Sequence, residues 1–66
     1  MIKVSINGDK REIAEGTTLA SLVQKLGYTD GFAVAINTTF VPISKYSSTT
    51  INDGDEIDIL SAIQGG

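Results

Sequence analysis

The stretch Thr18-Leu19-Ala20-Ser21-Leu22-Val23-Gln24-Lys25-Leu26-Gly27 decides the fold. Leu19, Leu22, Val23 and Leu26 recur at the i, i+3, i+4, i+7 spacing of one helical face. Thr18 is placed to cap the helix by accepting from free N–H groups of its first turn, although Ser21 stands where a Glu would complete a capping box. Gly27 ends the pattern as a left-handed cap. A helix with one apolar stripe has to lay that stripe on another element, and the flanking sequence supplies a sheet.

Working back from the helix, Glu15-Gly16-Thr17 breaks the pattern. A short polar strand is expected over residues 10–14, with Ile13 as its inward residue. Asn7-Gly8 is a tight hairpin signal, because both residues tolerate positive φ. Residues 1–7 alternate, with Ile2, Val4 and Ile6 on one side and Met1, Lys3 and Ser5 on the other, the period of a half-buried strand.

Working forward, Phe32-Ala33-Val34-Ala35-Ile36 reads as a third strand, and Asn37-Thr38-Thr39 as a turn into a short fourth strand at Phe40-Val41. Pro42 cannot donate to a ladder, which makes that strand peripheral. Residues 44–50 are polar and read as a loop. Asn52-Asp53-Gly54-Asp55 is a strong turn signal, and residues 56–61 alternate again with Ile57 and Ile59 inward.

The order ββαββ plus a final β predicts an α+β domain, a mixed sheet of about five strands with one helix packed on one face. The first and last strands, the most apolar, are expected together at its centre. This is the β-grasp, or ubiquitin-like, arrangement. The expected core is Ile2, Val4, Ile6, Ile13, Leu19, Leu22, Val23, Leu26, Val34, Ile36, Val41, Ile51, Ile57 and Ile59. Residues 1–61 form the domain, and residues 62–66 read as a flexible tail ending in Gly-Gly.

Composition narrows the function. The chain has 66 residues, 41% hydrophobic and 20% charged, as expected of a single globular domain with a thin core. It contains no cysteine and no histidine, which removes disulfides, Cys nucleophiles, Ser-His-Asp triads and zinc-finger ligand sets. Asp53, Asp55, Glu56 and Asp58 cluster at one turn and strand, where solvated carboxylates are the ordinary reading. A net charge of -3 and a pI near 4.5 argue against nucleic acid as partner. The N-terminal sequence lacks the apolar run of a signal peptide, and no segment is long enough to span a membrane, so a cytoplasmic location is expected.

What remains is the end of the chain. Glycine is costly to order, so Gly65-Gly66 should be exposed, and residues 62–66 can reach about 15–18 Å from the sheet. The pair presents a carboxylate with no side chain beside it, on a backbone slim enough to enter a narrow channel. Adenylation would make that carboxylate reactive toward a sulfur or amine nucleophile. Such a carrier needs no acid, base or metal of its own.

The whole chain resembles the ThiS family of sulfur carriers in thiamine biosynthesis. The resemblance rests on Glu15-Gly16-Thr17-Thr18, Ala35-Ile36-Asn37 with Val41-Pro42, Asn52-Asp53-Gly54-Asp55, and Gly65-Gly66. The Asp-Gly-Asp turn and the terminal pair are shared with the molybdopterin-synthase small subunit. The stretch from Asn37 to Pro42 favours ThiS. The chain departs from the family at Ile43, where an arginine is common, and at Tyr46, near a position often occupied by tryptophan.

The resemblance implies a carrier and not an enzyme. Gly66 becomes an adenylate and then a thiocarboxylate, and Gly65 permits threading. No cofactor is bound, and ATP is used by a partner. The implied partners are an E1-like, ThiF-like adenylating enzyme, a ThiG-like thiazole synthase, and a sulfur donor such as a cysteine desulfurase. Apart from the resemblance, alternation with Ile57 and Ile59 inward puts Glu56, Asp58 and Leu60 on the opposite face, where Phe40 joins if Val41 is inward, and Leu60, Phe40 and Ile63 are the candidate partner contacts. Rival readings are a pterin-directed carrier, a ubiquitin-like protein modifier, and a binding module in which the glycines have no role.

Overall fold

The computed structural model describes residues 1–29 and 31–61. Strand β1 (Ile2–Ile6) and strand β2 (Asp9–Ile13) form an antiparallel hairpin in register from Ile2 opposite Ile13 to Ile6 opposite Asp9. Asn7 and Gly8 take φ of 51° and 87°, as a two-residue primed turn requires. So tight a turn places Asp9 opposite Ile6 at once, and β2 therefore starts and stops one residue earlier than its polarity pattern suggests.

Helix α1 (Leu19–Lys25) is bounded by the expected residues. The Thr18 hydroxyl accepts from the Ser21 N–H at 3.2 Å. At the other end Gly27 has φ 90°. The Gly27 N–H donates to the Gln24 carbonyl and the Tyr28 N–H to the Val23 carbonyl, the two bonds of a Schellman cap. Leu19, Leu22 and Val23 are buried beneath the helix.

Strand β3 (Phe32–Ile36) and strand β4 (Thr39–Val41) form the second hairpin, and strand β5 (Glu56–Ser61) closes the sheet. The sheet order is β2-β1-β5-β3-β4, with β1 and β5 parallel and the other neighbours antiparallel. The first and last strands are thus adjacent, with β5 central as expected, although β3, apolar at all five positions, is the more apolar strand and flanks β5 on its other side. All fourteen expected inward residues belong to the core cluster or pack against it. Leu19, Val34, Ile51 and Ile57 are its most deeply buried members, and Ile2, Ile13, Leu26, Ile36 and Val41 lie at its margin.

The segment expected to be a polar loop is instead a 3-10 helix over Ile43–Ser48, and it buries Tyr46. The aromatic ring supplies the reason. Tyr46 packs 6.1 Å from the Phe32 ring, which lies 5.3 Å from Tyr28, so one aromatic residue in a polar run is enough to fold it onto the core. The chain then returns across the helix start: the Leu19 N–H donates to the Thr49 carbonyl and the Ile51 N–H to the Thr17 carbonyl.

The 52–55 turn ties three elements together. The Lys3 N–H donates to Asp53 Oδ1 at 2.8 Å, and the Gly54 N–H to the Lys3 carbonyl. Asn37 Nδ2 donates to Asp55 Oδ1 at 3.0 Å, while Asn37 Oδ1 accepts from the Glu56 N–H at 2.9 Å. The start of β5 is thereby fixed to β1 on one side and to the β3–β4 turn on the other.

The two hairpin turns differ in one residue. Asn37 and Thr38 have φ of 51° and 73°, so a β-branched threonine sits where the first hairpin has Gly8. The left-handed region costs such a residue about 1–2 kcal/mol, partly offset by the lower entropy of its unfolded chain. Thr38→Gly should therefore raise stability by about 0.5–1 kcal/mol in urea denaturation. A variant less stable than the parent would show that Thr38 makes compensating contacts.

Candidate functional site

Alternation along β5 separates its side chains. Ile57 and Ile59 are buried beneath the sheet, whereas Glu56, Asp58 and Leu60 project from the face that carries no helix. Leu60 is 55% exposed and Phe40 60% exposed. Val41 pairs with Val34 on the core side, which sends Phe40 to the open face. Leu60 and Phe40 therefore share a face, as strand alternation predicts.

They are not cross-strand neighbours. Leu60 lies opposite Ala33, and Phe40 opposite Ala35, on the two sides of β3. Two strand spacings and a two-residue step along β3, together about 12 Å, separate their backbone positions, with the alanines as a low floor between. Ala35 is 5% exposed yet stands outside the helix-side core, so its cover comes from the open face. Its cross-strand neighbours there are Phe40 and Asp58. The β5–β3–β4 half of the face is thus apolar with an acidic margin at Glu56 and Asp58. The other half is charged, with Lys3 opposite Glu12 and Lys10 opposite Ser5.

The tail leaves from Ser61, the last residue of β5, which pairs with Phe32 above the aromatic cluster. Ile63, Gly65 and Gly66 lie outside the described residues. Among the described residues there is no group of three or more His, Cys, Asp or Glu side chains able to hold a metal. No helix among them is long and apolar enough to cross a membrane.

One contributor escaped the sequence reading. Asn7 reads only as a turn residue, yet its Oδ1 accepts from the Ile59 N–H at 2.7 Å. Its own N–H donates to the Ile57 carbonyl. The side chain thus adds one rung to the β1–β5 ladder after the β1 backbone has turned away.

With this geometry in place, residues 4–66 match the ThiS family model. The sulfur carrier protein ThiS of Escherichia coli is 30% identical over 98% of this chain and all of its own length. A thiazole synthase of Paramagnetospirillum magneticum is 37% identical over 98% of this chain, which spans only 20% of that protein's length. The crystal structure of the thiamine biosynthesis protein ThiS from Geobacter metallireducens superposes with a TM-score of 0.84, covering 98% of this chain and 100% of that one. At 23% identity that likeness speaks for the shared fold.

The rung made by Asn7 can be weighed directly. Asn7→Gly keeps the positive φ without strain but leaves the Ile59 N–H without its acceptor, and should lower stability by about 1 kcal/mol. Asn7→Asp keeps the acceptor and should stay within about 0.5 kcal/mol of the parent. Equal stability of the Gly variant and the parent would show that the rung contributes nothing.

Proposed function

The chain belongs to the ThiS family of sulfur carriers in thiamine biosynthesis, and we propose that it works through the carboxylate of Gly66. The protein is a carrier and not itself a catalyst. An activating enzyme of the ThiF-like kind transfers AMP from ATP to the Gly66 carboxylate and releases pyrophosphate. A persulfide, supplied by a donor such as a cysteine desulfurase, then displaces AMP to form an acyl disulfide, and a thiol reductant cleaves that S–S bond, becoming a disulfide itself and leaving the thiocarboxylate. The reading sets this work in the cytoplasm, with ATP consumed by the partner and no cofactor resident on the carrier.

The observation that carries the reading is that the family match runs from within β1 through Gly66, taking in both the domain and its glycine end. The fold supports it: β5 is braced by a strand on each side, so the domain presents the chain leaving Ser61 from a rigid base. Gly65 keeps the approach to Gly66 narrow, because it adds no side chain to the thread. Relatives named thiazole synthase contain a stretch similar to this chain, and a protein of that kind is a partner.

A tail of a few residues offers little surface for specific docking. The apolar half of the open face, with Leu60 and Phe40 exposed and the acidic margin beside them, is the proposed grip for both the activating enzyme and thiazole synthase. One face serving both requires the carrier to leave the first before it meets the second. Ile63 adds an apolar contact from the tail.

Two outcomes follow from this reading. Appending one alanine after Gly66 moves the carboxylate onto a different residue and should abolish acyl-adenylate formation in a pyrophosphate-exchange assay; an extended protein that is still adenylated and still supports thiazole formation would contradict the reading. Leu60→Asp should weaken calorimetric binding to both enzymes by about tenfold or more, while the exposed position leaves thermal melting nearly unchanged. Undiminished binding to both would place the grip elsewhere.

A further inference from the structure

The hydrogen-bond phase of β5 leaves part of a central strand unpaired. The Asn37 N–H donates to the Glu56 carbonyl, so on the β3 side the bonding pairs recur at Ala35 with Asp58 and Ala33 with Leu60. The backbone groups of Ile57, Ile59 and Ser61 must then face β1. The β1 side agrees: the Ser5 N–H donates to the Asp55 carbonyl and the Asn7 N–H to the Ile57 carbonyl. The Ile59 N–H is taken by Asn7 Oδ1. There the ladder stops, because Asn7 and Gly8 turn the chain into β2. The Ile59 carbonyl and the Ser61 N–H point toward the place a longer β1 would occupy, and neither has a hydrogen-bond partner among the described residues.

The outer edges of the same sheet are protected. β2 carries Lys10, Arg11 and Glu12 along the edge, and β4 is three residues long and followed by Pro42. Charges, brevity and proline are the usual devices that keep edges from pairing with other chains. The inner edge of β5 carries none of them past Asn7. It also runs directly into the segment that delivers Gly66.

We infer that the Ile59–Ser61 edge is a strand-addition site, at which an extended segment of thiazole synthase pairs with β5 in the place β1 leaves. This rests on the carrier reading given above and specifies how the partner holds the carrier. One residue of a strand running parallel to β5 satisfies both free groups, since each residue of a parallel ladder bonds the two neighbours of the residue opposite. Main-chain pairing of this kind holds a peptide with little regard to its side chains. It would extend the sheet along the line of the tail and fix the direction in which the tail leaves the domain. Asn7 acts as the stop that sets where the incoming strand begins.

Ser61→Pro tests the inference, because it removes the one free donor while its ring stands on the side away from β3, where an edge proline is tolerated. The variant should melt like the parent but bind the thiazole synthase of the same host about tenfold more weakly, and Ser61→Ala should bind normally. Independently of any variant, the Ser61 amide of the parent protein should exchange with deuterium at least about tenfold more slowly in the complex than alone. A complex that forms with the Ser61 amide still in fast exchange, or Ser61→Pro binding as tightly as Ser61→Ala, overturns strand addition and leaves the carrier reading standing. Failure of the parent protein to bind thiazole synthase at all overturns the partner assignment and this inference together.

Discussion

Everything functional in this domain depends on the register of β5. A strand alternates faces with period two, so a slip of one residue would turn Ile57 and Ile59 outward and press Glu56, Asp58 and Leu60 into the core. The apolar residues alone oppose such a slip, and the turn before the strand adds side-chain bonds that have only one solution. Asp53 accepts from the Lys3 backbone, Asp55 from the Asn37 side chain, and Asn37 in turn from the Glu56 backbone. Asn7 then holds Ile59 further along. Four short polar side chains, drawn from three separate turns, lock the strand that precedes the tail.

That division of labour explains an otherwise bare protein. The chain has neither cysteine nor histidine, and its aromatic residues are spent largely on packing, with Tyr28, Phe32 and Tyr46 clustered near the end of β5. The domain's task is positional. Under the proposed reading, it offers a chain end and a recognition face and leaves bond making to its partners. A core this small suffices for that because the critical strand is central and braced on both sides.

Most of the architecture was legible because it rests on periodicity. The helical spacing of Leu19, Leu22, Val23 and Leu26, the alternation around Ile57 and Ile59, and the Asn-Gly and Asp-Gly turns each have a local physical meaning that tertiary contacts did not override. What was not legible depended on partners distant in sequence. Tyr46 sits in a polar run, and nothing local says that its ring will find Phe32. Asn7 meets the requirement of its turn, which hides its second use against a strand 52 positions away. Thr38 takes a glycine-like φ that threonine seldom adopts, so the turn was readable while its strain was not. Of the site, the open-face positions of Leu60 and Phe40 followed from alternation. The free edge of β5 depends on which hydrogen-bonding phase the sheet adopts, and side-chain identity does not encode that choice.

The central claim is that sulfur rides on the carbonyl of Gly66. The most direct measurement is the intact mass of the protein isolated from its native host, followed by fragmentation to locate any change. The account predicts a population heavier by the replacement of one oxygen with sulfur, confined to the C-terminal glycine and lost on hydrolysis. A protein whose mass equals that of the unmodified chain under conditions of active thiazole synthesis, or whose added sulfur lies anywhere but the terminal glycine, would contradict it.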